Sequence, residues 1–428
     1  MRRQPNSPPD VDRATPALVL KLDANVFHHG GLGVIRSLGR LGIPVYAVQE
    51  ERFTPAGASR YLSGGWRWRP GTEDAARVLA GLLRISERIG KRAVLLPTDD
   101  AGALFVAEYQ AKLREAFLFP EPDPGLPALV ADKYSLHEIC LRLGVPTPAT
   151  ALARSWDEAE AFCAAHGFPV IAKLVRPWRP SGAGRPRSTN LVRTREELRG
   201  LMERSELMLQ EYLPGGAEAD WFFHGYCDER SVCRPAFTGR KHRSYPAGAG
   251  LTAFGTAEPN AELSDAVQTM LERLSYRGIM DLDLRRDPRD GRYQLLDFNP
   301  RLGAQFRLFV DDAGVDVAVA AHLHLTGREI PAGNPVRRGF LVENYDPFAA
   351  LGSWRRGQLR PGDWLRSLRE VDELAWFARD DLRPFGLMCA RLAWRVLRRP
   401  FPAAHRPDEP TPRHRRGRAA AQHRKGNR

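Results

Sequence analysis

Residues 279–301 read IMDLDLRRDPRDGRYQLLDFNPR, and this stretch decides the fold. Two alternating runs, 279–286 and 292–298, flank Asp287-Pro288-Arg289-Asp290-Gly291. A Pro-containing turn that ends in Asp-Gly between such runs is a hairpin signal. Pairing about Arg289–Asp290 sets Asp283 nearly opposite Asp297. Asp297 and Asn299 are two residues apart, so their side chains share one face of the sheet. That face offers Asp283, Asp297 and Asn299 together, with Arg301 next in line. Leu295, Leu296 and Phe298 make the second run a buried strand, where an unpaired acid is costly. Two carboxylates and an amide oxygen form an all-oxygen donor set. Mg²⁺ takes such ligands, with nucleotide phosphates completing the shell. A solvated strand face is the competing reading, and Asp281 and Asp287 are assigned to it.

Working towards the N-terminus, Leu263–Leu274 has the spacing of an amphipathic helix, and Trp221–Cys227 and Leu207–Gln210 read as strands. Thr194–Arg204, Ser155–His166 and Leu136–Leu143 read as helices. Phe168–Val175 is an apolar strand with one charge, Lys173. Residues 177–190 form a loop rich in Pro, Gly and Arg. The chain opens with a strand at Ala17–Leu22, a turn His28-His29-Gly30-Gly31-Leu32-Gly33, a helix over Val34–Leu41 and a strand at Pro44–Val48. That order is a βαβ start and predicts a parallel sheet. A further strand, Ala93–Leu96, ends at Asp99-Asp100, the strand end where open α/β sheets bind ligands. Gly31 and Gly33 also match two glycines of a dinucleotide fingerprint, with Glu50 or Glu51 as its ribose acid. Arg36 replaces the third glycine, and that reading leaves 283–301 unexplained. His28 and His29 are either exposed or in reach of a substrate.

Across its 428 residues the protein carries 64 Lys+Arg against 51 Asp+Glu, a formal charge of +13. Residues 391–428 hold 12 of those bases and two acids, so the first 390 residues carry only +3. The basic balance therefore describes a tail, and no specific nucleic-acid partner is expected. Pro384–Arg399 has the pattern of a basic amphipathic helix, either packed on the domain or, with 400–428, in peripheral contact with an anionic membrane. No stretch approaches the ~20 apolar residues of a spanning helix. Five cysteines without CxxC spacing argue against a disulfide framework or a zinc site and for the cytoplasm. Only seven bases are lysine: Lys21, Lys91, Lys112, Lys133, Lys173, Lys241 and Lys425. A compact ammonium suits a single phosphate oxygen better than a guanidinium fork does, so each lysine in the folded part is a candidate ligand.

The hairpin and its LLDFNPR run resemble the metal-binding end of the ATP-grasp superfamily. Three further motifs agree with that family in order: Asp132-Lys133 with Gly144-Val145-Pro146-Thr147-Pro148, Pro169–Lys173, and Gln210-Glu211-Tyr212-Leu213-Pro214-Gly215. Gly31–Gly39, Ser59-Arg60-Tyr61 and Gly239–Pro246 are similar to the carboxylate–amine ligase branch, of the D-aspartate ligase type. The resemblance covers roughly residues 16–330. It implies an α/β fold with a parallel-sheet domain over 16–125, followed by two α+β subdomains clamping ATP, 126–205 and 206–330. A disordered leader (1–15), a C-terminal extension (331–399) and a disordered tail (400–428) flank them. It implies ATP and Mg²⁺ as cofactors, with Mn²⁺ as an alternative ion.

By the same resemblance, Asp283, Asp297 and Asn299 hold the metal, and Lys133 and Lys173 meet phosphate oxygens. Ser181, Gly182 and Gly184 belong to a loop closing over the phosphates. Gln210, Glu211, Tyr212 and Leu213 form the adenine-reading hinge, and either Glu218 or Asp220 takes the ribose. Arg301 would meet an acyl phosphate, with Lys241 and Arg243 assisting. The implied reaction joins a carboxylate to an amine through that acyl phosphate. Its partners are the two small-molecule substrates and, by analogy, a second subunit. The family's usual acid at 297 is Glu, and the shorter Asp puts two-metal bridging in question. A nucleotide-binding adaptor of weak catalytic power, docking through the basic C-terminal segment, is the alternative function.

Overall fold

A computed structural model describes residues 8–175, 189–204, 206–246 and 250–397. Three sheets organise them. The first is parallel, β1 (Ala17–Leu20), β2 (Val45–Gln49), β3 (Leu62–Arg67), β4 (Ala93–Pro97) and β5 (Phe117–Leu118), in the order β3-β2-β1-β4-β5. Strand β1 is buried along its whole length, as a central parallel strand covered on both faces must be. The helix Gly30–Arg40 covers one face and the helix Ala75–Ile89 the other.

The glycine turn expected before the first helix lies inside it, since the helix begins at Gly30. Close packing explains the glycines. A Cβ on Gly33 would fall 2.7 Å from the Phe306 ring, and one on Gly30 would fall 3.3 Å from the Ala304 backbone. The helix therefore lies flush against residues 304–307, the segment that follows the 279–299 hairpin.

The second sheet is small and antiparallel: β6 (Thr150–Ala153), β7 (Val170–Leu174), β8 (Thr189–Val192) and β9 (Leu207–Glu211), ordered β6-β9-β7-β8. Helices Trp156–His166 and Arg195–Met202 cover it, each capped by a hydroxyl, Ser155 or Thr194. The third sheet is large: β10 (Asp220–Cys227), β11 (Cys233–Tyr245), β12 (Leu251–Ala257), β13 (Gly278–Arg286), β14 (Tyr293–Asn299), β15 (Gly339–Leu341) and β16 (Val371–Leu374). Its order is β14-β13-β10-β11-β12-β15-β16. One face packs Leu282, Leu284, Leu295 and Phe298 against the helices Lys133–Leu143 and Ala261–Arg273. The other packs Phe222, Tyr226 and Phe237 on the Val317–Leu325 helix and carries the acids of the hairpin.

The sheets depart from three expected boundaries. Strand β9 belongs to the small sheet, so that sheet runs past residue 205 to 211. The large sheet continues past residue 330, because β15 and β16 add to its edge. Of the leader expected to be disordered, residues 8–15 are placed: Val11 is buried, and His322 Nε2 lies 3.0 Å from the Thr15 carbonyl. The expected C-terminal helix spans Arg383–Leu397 and packs on the rest of the chain. Met388 is buried, Arg391 pairs with Glu51 at 2.7 Å, and Arg395 lies over the Phe27 ring. Of the two readings of this helix, packing on the domain holds for Arg391 and Arg395, and residues 398–428 lie outside the described part. Among the described residues no helix is long and apolar enough to cross a membrane.

Candidate active site

In the hairpin, Asp283 pairs directly with Asp297 and Asp281 with Asn299. Directly opposed residues of an antiparallel pair have Cα atoms about 4.5–5.5 Å apart, so the two carboxylates are immediate neighbours. Past Asp283 the register slips, and Leu284 pairs with Leu295. The extra residue is Leu296, and its carbonyl accepts from Lys173 Nζ at 2.9 Å. A bulge frees a backbone group in this way. Asn299 Nδ2 donates to the Asp281 carbonyl at 3.1 Å, which leaves its oxygen as the atom able to ligate a cation.

Three of the seven lysines meet at these acids. Asp132 caps the Lys133–Leu143 helix by accepting from Ser135, and Lys133 in its first turn reaches the Asp297 carboxylate. Lys241, on β11, donates to Asp283 at 2.7 Å. Burial alone would push the Lys241 pKa down, but Asp283 beside it raises it above the usual lysine value. Burial would likewise raise the Asp297 pKa, and Lys133 and Lys173 bring it below the usual carboxylate range. Lys173 differs. It is 7% exposed, with a backbone carbonyl as its hydrogen-bond acceptor. Burial, reinforced by the Lys133 charge, pulls its pKa down to about 8 against a smaller upward pull from Asp297.

Arg301 lies in a second network on the same face. Its Nε donates to Asp100 at 3.0 Å and its Nη1 to Asp281 at 2.9 Å. Asp281 in turn meets His224 Nε2 at 2.7 Å. Assigning Asp281 to a solvated surface was wrong: it is 4% exposed. Burial would raise its pKa, and His224 and Arg301 hold it well below the usual range instead. Alternation carried the signal, since Asp281 and Asp283 are two apart and share a face. Asp287 is also buried, under its own turn, where Arg289 forks onto it. Asp99 accepts from the backbone of Leu22, Asp23 and Gly102, capping a helix and pinning a loop. Burial pushes its pKa up to about 6. Asp100, not Asp99, joins the site.

The nucleotide-facing candidates divide. Gln210 is buried and donates to Thr150 Oγ1 at 3.2 Å. Glu211 accepts from Arg289 at 2.6 Å, joining the small sheet to the turn of the 279–299 hairpin. Tyr212 is half-buried and Leu213 buried. Arg285, which the sequence did not single out, donates to the carbonyls of Leu213 at 3.1 Å and Gly215 at 2.6 Å and also pairs with Asp220. It clamps the hinge to β13. Burial raises the Asp220 pKa against the pull of Arg285, and its carboxylate is committed to that pair. Glu218 is exposed and accepts from the Gly216 backbone at 3.1 Å. Ser181, Gly182 and Gly184 lie outside the described residues. Arg243 is not with the other candidates: it is buried against Asp346 at 2.6 Å and Ser367 at 2.9 Å. The slip between Lys241 and Arg243 on β11 separates their surroundings.

The motifs around Gly31–Gly39 and Ser59–Tyr61 meet elsewhere. Arg36 is buried, pairs with Asp381 at 3.0 Å and donates to the Trp376 carbonyl at 2.7 Å. Ser59 and the Arg60 backbone also bond Asp381, while Arg40 and Tyr61 bond Asp380. These residues fasten the C-terminal segment to the first sheet. Glu50 pairs with Lys21 and Glu51 with Arg69 and Arg391, so both acids of the dinucleotide reading are engaged. His29 is buried between Phe340 and Trp376, and His28 is half-buried beside it. Neither is a free loop histidine.

The donor set fits a hard divalent cation. Among the described residues no group of three His, Cys, Asp or Glu is placed to hold a metal alone. Two acids and an amide would need phosphate or water oxygens to complete a Mg²⁺ shell.

No family model matches the chain. A D-aspartate ligase from Enterococcus faecium is 26% identical over 272 residues, covering 58% of this chain and 63% of that ligase. N5-carboxyaminoimidazole synthetase from Staphylococcus aureus, complexed with ADP, superposes with a TM-score of 0.58 at 12% identity. It covers 81% of this chain and 87% of that one. The L-amino acid ligase from Bacillus licheniformis superposes at 0.56 and 13%, covering 77% and 79%. The fold is ATP-grasp, with a parallel-sheet domain leading into a small and a large antiparallel-rich sheet. In sequence the chain is similar to that D-aspartate ligase, of whose length it spans less than two thirds.

Proposed function

We propose that the protein is an ATP-dependent ligase joining a carboxylate to an amine, with release of ADP and phosphate. One observation carries the reading. A lysine-poor chain gathers Lys133, Lys173 and Lys241 at two facing aspartates, and Lys173 is buried with no carboxylate of the described residues bonded to it. A triphosphate supplies the anion that Lys173 lacks.

In this reading a substrate carboxylate oxygen attacks the γ-phosphorus of ATP in line, and ADP leaves. The amine nitrogen then attacks the acyl carbon, loses a proton and expels phosphate. Catalysis is positioning and charge neutralisation, with no covalent enzyme intermediate. Lys133 and Lys173 hold phosphate oxygens as point charges. Asp283, Asp297 and Asn299 would hold Mg²⁺, which when bound neutralises the phosphate oxygens. Arg301, fixed by Asp100 and Asp281, presents its guanidinium to the acyl phosphate and to the oxyanion formed on amine attack. Lys241 faces Asp283 and serves the phosphates, whereas Arg243 has a structural role. The hinge Gln210–Leu213 reads adenine, and Glu218 rather than Asp220 takes the ribose. A two-subunit assembly and a cytoplasmic location belong to the same reading.

The test is ADP release from the full chain with Mg-ATP and mixed carboxylates and amines, beside Asp297→Ala and Lys173→Ala. Release that requires both substrates and disappears in both variants is expected. Release that survives in both variants overturns the assignment of this site.

A further inference from the structure

Away from the hairpin, one region presents large apolar side chains to solvent. Tyr245 and Leu251 pair across β11 and β12. Phe348, Leu351 and Trp354 follow at three-residue spacing along the helix Asp346–Arg355, and Leu365 lies on the helix Pro361–Ser367. All six are between 39% and 60% exposed. Those on β11, β12 and the first helix adjoin, and Leu365 lies on the helix tied to it. The Tyr245 ring is 5.9 Å from Phe348, and Trp364 Nε1 donates to Asp346 Oδ2 at 2.8 Å, tying the two helices together. A cluster of this kind on a folded chain marks a contact surface.

Charge decides what it contacts. Arg355, Arg356, Arg360, Arg366 and Arg369, on the same two helices and the turns that follow them, are exposed. The acids of residues 347–370 are Asp363, which is 3.3 Å from Arg366, and Glu370. A second copy of the chain docking by the same face would oppose arginine to arginine across a two-fold axis. An anionic surface meets the opposite situation: arginines find phosphates while Trp354, Phe348 and Leu351 enter the acyl boundary. We propose that this face seats the protein on an anionic lipid bilayer. Strand β11 links it to the candidate site, since Tyr245 lies four residues beyond Lys241, about 13 Å along the strand. Docking therefore brings that site close to the lipid surface. The inference stands apart from the ligase reading, because it concerns other residues and needs no turnover.

The experiment is cosedimentation of the full chain with vesicles of equal parts phosphatidylglycerol and phosphatidylcholine, and with phosphatidylcholine alone. Binding to the anionic vesicles only, weakening with salt, is expected. Each arginine at such a surface contributes about fivefold, so Arg355→Ser with Arg356→Ser should lower the partition coefficient about 25-fold. Leu351→Ser with Trp354→Ser should abolish binding; the arginine pair keeps the test readable if the apolar pair fails to fold. Unchanged binding in the arginine variant assigns any lipid contact to residues 398–428 and overturns the proposal. Failure of the unaltered chain to sediment also overturns it, and a mass that doubles with concentration then points to a second copy instead.

Discussion

Replacing Lys173 by Met should stabilise the protein while weakening nucleotide binding, and proton uptake should report why. The ammonium of Lys173 is buried, bonded to the Leu296 carbonyl, and its pKa falls from the ordinary 10.5 to about 8. Burial disfavours its charged form, so folding at neutral pH is penalised by about 3 kcal/mol, an order-of-magnitude figure. Below pH 8 both folded and unfolded chains carry the proton, and the full penalty applies. Between about 8 and 10.5 the folded chain sheds it while the unfolded chain keeps it, so the penalty fades as pH rises. Methionine removes the charge at similar volume, and its apparent melting temperature at pH 7 should rise by several degrees. A bound triphosphate restores the charged form. Calorimetry at pH 8, in buffers of differing ionisation enthalpy, should then show about half a proton taken up per nucleotide. Lys173→Met should bind more weakly without that uptake. Buffer-independent heats at pH 8, or equal uptake in the variant, would refute the placing of phosphate at Lys173.

Arg301→Gln leaves Asp281 buried without its guanidinium partner and should cost about 3–5 kcal/mol in denaturant unfolding; Asp281→Asn added to it should recover part of that loss, and a simple sum of the two costs would show that they are not a pair. Glu218→Gln should weaken binding of ATP more than of an analogue lacking the ribose hydroxyls, with stability unchanged. Asp220→Asn should instead lower stability by loosening Arg285 from the hinge, so the reverse pattern in calorimetry and melting would exchange the two roles. Asp297→Glu restores the longer acid usual in the resembling family, and ADP release should reach half its maximum at lower Mg²⁺. An unchanged requirement would show that the shorter arm already reaches the ion.

The hairpin was legible because alternation and a Pro…Asp-Gly turn fix which residues oppose each other, and Asp283 does pair with Asp297. Its bulge was not legible. No residue at 295–297 announces a register slip, and the freed Leu296 carbonyl is visible only in the paired strands. Asp281 was misread because an acid next to another acid looks solvated until a buried partner is found. That partner, His224, lies far off in sequence on β10, and Arg301 reaches Asp281 across the strand ends. Local pattern likewise placed a turn at Gly30–Gly33. The glycines answer instead to the approach of Ala304 and Phe306, a contact between distant segments. Strands β15 and β16, which extend the large sheet beyond β12, escaped notice because each is short and takes its place from the sheet it extends.

The division between lysine and arginine explains why the basic composition was informative after all. Arginine fastens the structure: Arg36 holds the C-terminal turn, Arg243 the Asp346 helix, Arg285 the hinge, and Arg307 with Arg338 the edge strand through Glu373. In each case a planar fork reaches carboxylates or carbonyls in fixed geometry, which an ammonium cannot reproduce. Lys21 is likewise fastened, to Glu50, but the three lysines at the hairpin have a different task. Lys133 and Lys241 neutralise the two facing aspartates, and Lys173 waits beside them with its charge disfavoured. The proposed reaction exchanges anions at this site, which needs cations not already locked into forks, and an ammonium can leave a carboxylate for a phosphate without rebuilding its surroundings. The exception tests the rule. Arg301 is a fork among the lysines, held on two sides by Asp100 and Asp281, and in the proposed reading its position should not change on nucleotide binding, whereas Lys133, Lys173 and Lys241 should shift.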